Sequence, residues 1–293
     1  MIRFMARTAN IPGTNTRRLP ILFGWQLWNT NMKNRTIKLT ILGSGTFFVS
    51  KDRSSSAYLL EADNKRILID CGPGTLMRLS QAGIKPWEID YVFITHFHAD
   101  HTADLFPFFM NIQLNDYALK GNSAKFPQII GPKGIAKFMI KSSENYELPS
   151  VRGWNKVTFT DIKNKMRFGA IRVEPFKIKH IAFGIMANGY AYRFIINKKV
   201  IAFSGDSTKC FGLEKSCRNA DIFICDASYS KKQNNGAHID TSQIGKMSSK
   251  CGVKQVVLSH LYPRTDNIDL IEEVKEFFSG KVIRGEDLKI ILL

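Results

Sequence analysis

Residues 95–105 read THFHADHTADL and place three of the six histidines of the chain within six positions. Side chains this close together can converge on one cation, and Asp100 adds a carboxylate beside them. A lone histidine is more often a satisfied core or surface residue, but three beside an aspartate are typical of a metal site. His96 and His98 can face one ion, whereas the adjacent Asp100 and His101 more naturally reach a second. The stretch therefore predicts two metal sites.

Two metal sites need further ligands from elsewhere in the chain, including an anionic group that can lie between the ions. The available candidates are His180, Asp206 and His260. The last two lie at the ends of predicted strands, where loops present side chains from a rigid base. Because a carboxylate between two cations reduces their repulsion, Asp206 is the candidate that bridges them.

The pattern outside this motif predicts a sheet-rich core. Short apolar runs between glycine turns indicate strands at 37–42, 56–62, 66–71, 91–95, 171–178, 190–196, 200–206, 222–227 and 256–260. Amphipathic stretches indicate helices at 75–83, from 101 to about 115, and at 134–143, 241–252 and 269–280. The early strands follow one another as in hairpins, and the later ones alternate with helices. We therefore expect an α/β sandwich of two mixed sheets with helices outside.

Composition limits the class of protein. With 293 residues, 44% of them hydrophobic, the chain is long enough to bury a large core. It has no apolar run long enough to predict a membrane span, so we expect no membrane partner. Its five cysteines are odd in number and form no CxxC pair, which argues against a disulfide framework and a cysteine zinc site. A reducing, cytoplasmic setting is expected.

The formal charge of +17 is concentrated at the start of the chain. Residues 1–51 contain eight lysines and arginines and no acidic residue, so they account for about half of the net charge. We expect residues 1–35 to be a basic N-terminal extension before the main folded domain at 36–293. The extension resembles a transit peptide, but Met32 just before the first strand also suggests an over-long start, and both interpretations stay open. The remaining positive charge is compatible with a nucleic-acid partner.

The HxHxDH motif, followed by distant His, Asp and His residues, resembles the metallo-β-lactamase superfamily over about residues 37–293. Within it, the chain is most similar to the ribonuclease Z-like branch. The segments that carry this resemblance occur in the order of that branch: LGSGTFFVSKDRSSSAYLL, ILIDCGPGT, GYAYRF, SGDST, CDASY, AHIDTSQIG and LSHLYPR. The resemblance implies an αββα sandwich and a dinuclear zinc-dependent hydrolase, with manganese or iron as alternative metals.

The resemblance also implies a role for each polar residue. One zinc would be bound by His96, His98 and His180, the other by Asp100, His101 and His260, and Asp206 would bridge them. Asp70 would orient a ligating histidine. His238 would protonate the leaving oxygen, assisted by Asp226, which stands where the branch has a glutamate. Asp100 would also orient the nucleophilic water or take its proton.

The substrate implied by the resemblance is a phosphodiester. Ribonuclease Z recognises transfer RNA through an arm inserted between the third histidine motif and the bridging aspartate, but here only 25 residues separate His180 from Asp206. Two kinds of substrate are therefore expected for a phosphodiesterase of this type. One is the 3′ end of an RNA, which it would cut as an endonuclease, and the other is a small or cyclic phosphodiester. His238 favours them over lactones and thioesters, because an activated acyl leaving group needs no acid. A zinc-stabilised RNA-binding protein without catalysis is another alternative, and a homodimer is compatible with all of them.

Overall fold

The computed structural model of the chain describes residues 36–118, 125–144, 156–182, 184–233 and 236–293. The predicted N-terminal extension at residues 1–35 lies outside the described residues. The described part folds into two seven-stranded sheets and a separate two-stranded hairpin, with helices in the connections. None of the helices in these ranges is long and apolar enough to cross a membrane.

The first sheet contains most of the early strands. They are β1 (Lys38–Gly43), β2 (Ala57–Ala62), β3 (Lys65–Ile69), β4 (Tyr91–Phe93), β5 (Gln128–Gly131), β6 (Thr158–Asp161) and, from the end of the chain, β16 (Ile290–Leu292). The order across the sheet is β16-β1-β2-β3-β4-β5-β6. Pairing is antiparallel from β16 to β3 and parallel from β3 to β6. The sheet is therefore mixed.

The second sheet repeats this division into two halves. Its strands are β7 (Met166–Phe168), β8 (Ile171–Lys177), β11 (Tyr190–Ile196), β12 (Lys199–Phe203), β13 (Ile222–Asp226), β14 (Gln255–Ser259) and β15 (Lys281–Arg284). The order is β15-β14-β13-β12-β11-β8-β7, parallel from β15 to β12 and antiparallel from there to β7. Between β8 and β11, β9 (His180–Ala182) and β10 (Ile185–Ala187) form the separate hairpin.

The helices lie in the connections between strands. They are α1 (Thr75–Gln81), α2 (Ala99–Thr102), α3 (Leu105–Ala118), α4 (Ile135–Glu144), α5 (Phe211–Cys217), α6 (Thr241–Lys250) and α7 (Leu270–Lys275), with 3-10 turns at Pro86–Glu88 and Pro263–Thr265. The side chain of Asp240 accepts a hydrogen bond from the backbone of Gln243 at the start of α6. The side chain of Asp269 accepts hydrogen bonds from the backbone N–H groups of Ile271 and Glu272 at the start of α7. These caps agree with the predicted helix starts.

Three hydrophobic clusters fill the spaces between four layers. In β2, Tyr58 and Leu60 face the second sheet, whereas the alternate residue Leu59 faces the helices, as the two-residue period of a strand requires. Phe93 lies between the sheets and contacts Tyr192 edge to face. One outer cluster includes side chains of α1, α3 and α4, and the other includes side chains of α5, α6 and α7. The expected αββα sandwich is confirmed.

The structure also differs from the predicted elements. All nine predicted strands form, but seven short strands were not predicted: β5, β6, β7, β9, β10, β15 and β16. The helix predicted from residue 101 to about 115 is divided between α2 and α3, and α5 was not predicted. The predicted helix at 269–280 ends early, at Lys275, and the N–H of Phe277 then donates to the carbonyl of Val274 in a tighter turn.

The parallel halves of the sheets determine where the polar residues meet. The carboxyl ends of parallel strands lie at one edge of a sheet, the position at which α/β proteins place their ligand sites. Asp70 follows β3, His96 lies just after β4, and Asp206 lies just after β12. Asp226 ends β13, and His260 follows β14 directly. Both sheets therefore contribute residues to the same site.

Candidate metal centre

The structure brings together all seven predicted metal ligands. One group consists of His96, His98, His180 and Asp206, and a second of Asp100, His101, His260 and Asp206. Within each group the candidate ligand atoms lie within 4.8 Å of one another. Asp206 Oδ1 is 3.2 Å from His101 Nε2, and its Oδ2 is 3.3 Å from His260 Nε2 and 3.8 Å from His96 Nε2. The carboxylate of Asp206 therefore lies between the two groups, as expected of a bridge.

The HxHxDH motif adopts two conformations in succession. His98, the residue that precedes α2, has an extended backbone, and the first turn of α2 then carries Asp100 and His101. The loop after β3 packs closely beneath this turn. A Cβ atom on Gly72 would lie 2.0 Å from the carbonyl oxygen of Asp100, so only glycine allows this approach. The change from extended chain to helix directs the two halves of the motif to different groups.

Four of the histidines use their second ring nitrogen to bond the protein. The bonds join His96 Nδ1 to Thr95 Oγ1 (3.0 Å), His101 Nδ1 to Asp70 Oδ2 (2.7 Å), His180 Nδ1 to the Ala237 carbonyl (3.3 Å) and His260 Nδ1 to Ser228 Oγ (2.9 Å). Each bond fixes the orientation of a ring and leaves Nε2 towards the centre. Metal-binding histidines are held in this way.

Donor chemistry and burial make the centre fit for divalent metal ions. In the described part of the chain, His101 Nε2 is buried and makes no hydrogen bond of suitable geometry, although Asp206 Oδ1 lies 3.2 Å away. Burial lowers the pKa of His96 well below its usual value, which keeps the imidazole neutral and able to bind a metal. Burial also lowers the pKa of His260, but Asp206, Asp100 and Asp226 outweigh it and raise the pKa to about 10. The carboxylates thus favour positive charge at the centre, and nitrogen and oxygen donors suit divalent ions such as zinc.

Asp70 occupies the supporting position that the sequence suggested. Its carboxylate accepts hydrogen bonds from Thr95, through the backbone N–H (2.8 Å) and the hydroxyl group, and from His101 Nδ1. Its backbone has a φ of 57°, a left-handed conformation that is uncommon outside glycine and that recurs at His260, with a φ of 55°. Strained backbone at two positions of one site is typical of functional centres.

The Asp70→Asn variant is expected to bind metal about 10- to 100-fold more weakly, because it removes the charge that orients the ring of His101. Competition with a chromogenic chelator would measure this. Asp90→Asn is the matched control, since Asp90 is also buried and hydrogen-bonded but precedes β4 at the other edge of the sheet. Equal metal affinity in Asp70→Asn and the unaltered protein would contradict the supporting role.

His238 and Asp226 form a pair beside both ligand groups. His238 Nδ1 lies 2.6 Å from Asp226 Oδ2, so the aspartate reaches the ring although it is shorter than the glutamate of the branch. The ring centroid of His238 is 5.0 Å from that of His180 and 5.5 Å from that of His260. Burial lowers the pKa of His238, but the charge and hydrogen bond of Asp226 outweigh it and raise the pKa overall. The pair therefore favours a protonated ring whose Nε2 is left to act as a donor.

Two hydroxyl residues of the site were missed by sequence reasoning. Ser228 Oγ lies 2.9 Å from His260 Nδ1 and donates to Asp226 Oδ1 at 2.5 Å. It therefore links the His238–Asp226 pair to His260, one of the candidate ligands. Thr95 bonds both His96 and Asp70. Their only sequence signal is position, because each lies within two residues of a predicted site residue. Serine and threonine are common at strand ends, so that signal is weak.

The sequence of the chain matches a described family over most of its length. Residues 37–281 match the family described as anti-Pycsar protein Apyc1. The chain belongs to the anti-Pycsar Apyc1 family. Among curated relatives, the uncharacterised protein Rv1339 of Mycobacterium tuberculosis is 27% identical over 84% of this chain and 89% of its own length. Ribonuclease Z of Agathobacter rectalis is 24% identical over 88% of this chain and 98% of its own length.

Solved structures of the same fold cover a similar share of the chain. The metallo-β-lactamase fold protein YhfI from Bacillus subtilis matches 88% of this chain and all of its own, with 20% identity and a TM-score of 0.75. The short form of human tRNase Z matches 87% of this chain and 98% of its own, with 22% identity and a TM-score of 0.67. The resemblance to the metallo-β-lactamase superfamily and its ribonuclease Z-like branch is confirmed. The family, the fold and the donor set identify the chain as a metal-dependent hydrolase.

Proposed function

We propose that the protein is a dinuclear zinc phosphodiesterase whose preferred substrate is a small or cyclic phosphodiester. The observation that carries this proposal is the His238–Asp226 pair beside both ligand groups. Cleavage of a phosphodiester expels an alkoxide, which needs a proton, and a histidine held by a carboxylate supplies one. Lactones and thioesters have leaving groups that need such an acid less, so they are less well matched to the site.

Each residue has a separate task in this proposal. One zinc would be held by His96, His98 and His180, and the other by Asp100, His101 and His260. Asp206 would bind both ions. When bound, two zinc ions supply Lewis-acid chemistry and lower the pKa of water. The carboxylate of Asp100, 3.2 Å from His260 Nε2, can orient the attacking water or accept its proton. His238 donates a proton from Nε2 to the leaving oxygen, and Asp226 holds its Nδ1.

The segment between His180 and Asp206 supports a small substrate. Its described residues form two short hairpins, β9–β10 and β11–β12, and the second turns through Asn197 and Lys198, both with positive φ. A two-residue turn of this kind joins strands directly and leaves no room for an inserted arm. RNA 3′ ends are the second candidate, because relatives over most of this chain are named ribonuclease Z.

The metal, the setting and the assembly complete the proposal. Zinc is the proposed metal, with manganese and iron as alternatives, because histidine and carboxylate ligands accept several divalent ions. All five cysteines are free thiols, which supports a reducing, cytoplasmic setting. A homodimer is compatible with the site, and sedimentation or light scattering would establish the assembly.

A substrate panel with metal analysis of the same sample tests this function. The panel contains cyclic nucleotides, a chromogenic phosphodiester, precursor transfer RNA, a lactone and a thioester. We expect two zinc ions per chain and hydrolysis of the small phosphodiesters. Cleavage of precursor transfer RNA alone would favour the second candidate. Hydrolysis confined to the lactone or thioester, or RNA binding without any hydrolysis, would reject the proposal.

A further inference from the structure

The segment that carries His238 connects β13 to α6, and we call its residues 227–240 the His238 loop. The loop serves both parts of the site, because it also supplies the Ala237 carbonyl, which lies 3.3 Å from His180 Nδ1. Asp226 orients the ring of His238. The position of the backbone that carries this ring depends instead on the contacts of the loop with the rest of the protein.

The two ends of the His238 loop are joined to each other. Tyr229 and Asp240 form an isolated β-bridge, and the N–H of Thr241 donates to the Tyr229 carbonyl at 3.2 Å. One residue after the histidine, the N–H of Ile239 donates to the Ser207 carbonyl at 2.7 Å. The side chain of Ile239 is buried in the hydrophobic core. The loop is therefore closed at its base, and its second half is attached to the core.

One carboxylate of α7 bonds both ends of the loop. Glu273 Oε2 accepts a hydrogen bond from the backbone N–H of Lys231 at 3.0 Å and another from the hydroxyl group of Thr241, the first residue of α6. Glu273 is half-buried, whereas the nearby Glu272 and Glu276 are exposed. The same oxygen thus ties the first half of the loop to the residue that directly follows its end.

Close packing of α6 against α7 fixes the position of Glu273. A Cβ atom on Gly245 of α6 would lie 2.5 Å from the carbonyl oxygen of Val274, the residue after Glu273, so this approach needs glycine. The side chain of Val274 is fully buried, and Asp269 caps the start of α7. The helix that carries Glu273 is therefore held against the helix that follows the loop, and its carboxylate is a fixed point of attachment.

We infer that Glu273 is a positioning residue, which holds the His238 loop so that His238 can transfer its proton. The inference rests on the proposed phosphodiesterase function, in which His238 protonates the leaving oxygen. A proton donor must lie within about 2.6 to 3.2 Å of the atom that receives the proton. A misplacement of about 1 Å can lower a rate by about 100-fold. Glu273 acts through the loop and not by contact with the reacting atoms.

The nature of the leaving group tests the inference on the zinc-loaded protein. Glu273→Ala is expected to lower kcat for an alkyl or cyclic phosphodiester by about 10- to 100-fold, with KM and bound metal unchanged. For a nitrophenyl phosphodiester, whose leaving group departs without a proton, kcat should change little. Glu273→Gln keeps an oxygen that can accept both hydrogen bonds, so it should recover most of the lost rate.

Glu276→Ala is the matched control on the same helix. It removes the ion pair between α7 and the side chain of Lys231 but leaves the backbone N–H of Lys231 bonded to Glu273. Both kcat values should therefore stay unchanged in this variant. An equal loss of kcat for both kinds of leaving group in Glu273→Ala, or no loss for either, would overturn the inference.

Hydrogen exchange followed by mass spectrometry gives a readout that does not depend on activity. Peptides that cover residues 229–241 should exchange faster in Glu273→Ala than in the unaltered protein, and at the unaltered rate in Glu276→Ala. Unchanged exchange in Glu273→Ala would also overturn the inference. If the unaltered protein hydrolyses no phosphodiester, the proposed function fails, and the exchange rates alone then decide whether Glu273 holds the loop.

Discussion

Replacing His238 with alanine is expected to lower kcat for alkyl and cyclic phosphodiesters by about 10²- to 10⁴-fold, the usual contribution of a general acid. The reason is the pair described above, in which Asp226 holds Nδ1 of His238 at 2.6 Å and raises the pKa of the ring. The remaining five histidines belong to the two proposed ligand groups, and His238 lies with Asp226, Asp206 and His260 in a third cluster of donor atoms, so the proposal assigns the acid role to His238 alone. Steady-state kinetics with metal analysis of the variant would measure the effect.

Leaving-group chemistry separates an acid from a structural residue at this position. A nitrophenolate leaves without a proton, so the loss of kcat in His238→Ala should be much smaller for a nitrophenyl phosphodiester than for an alkyl one. Asp226→Asn should show the same dependence with a smaller loss, because its side chain still reaches the ring. An equal loss for both kinds of leaving group, or loss of bound metal, would show that His238 is not the acid.

The clustering of the proposed ligands could be predicted from the sequence because its signal is local. Three histidines and an aspartate within six residues leave few chemical interpretations, and the other ligands follow strands long enough to show a period. The supporting groups have no such signal. Ser228 and Thr95 matter only because folding places their hydroxyl groups against His260 and His96.

The elements that were missed share a physical cause. Strands such as β5 and β16 contain three or four residues, too few to show an alternating pattern, and they form because a neighbouring strand offers a free edge. The contact between the rings of Phe48 and Tyr262 was missed for a related reason. Phe48 and Tyr262 come from distant parts of the chain, and the hydrogen bond between Ser44 and Leu261 helps to bring them together. Contacts that depend on the packing of two sheets leave no trace in a local sequence pattern.

Replacing Asp206 with asparagine is expected to remove at least one metal ion per chain and to lower kcat/KM by at least about 100-fold. Loss of a group that only supports a metal ligand costs up to about 100-fold, and loss of a ligand should cost at least as much. Asp206 is the one residue shared by both groups in the described structure, and its oxygens face His101 and His260 at 3.2 and 3.3 Å. Burial raises the pKa of Asp206, but His260 and His101 outweigh it and lower the pKa well below the usual value. The carboxylate is thus ionised, and an amide supplies neither its charge nor its second oxygen ligand.

Thermal unfolding gives a measurement of Asp206→Asn that is independent of activity. A metal ion present at a free concentration of 100 times its Kd stabilises the folded state by about 2.7 kcal/mol. A chelator should therefore lower the Tm of the unaltered protein by several degrees. It should lower the Tm of Asp206→Asn much less, since less metal is bound. Asp221→Asn is the matched control, because Asp221 is similarly buried but precedes β13, away from the metal edge. Two metal ions in Asp206→Asn and an undiminished chelator effect would show that the carboxylate does not bridge, because both groups would then hold their ions without it.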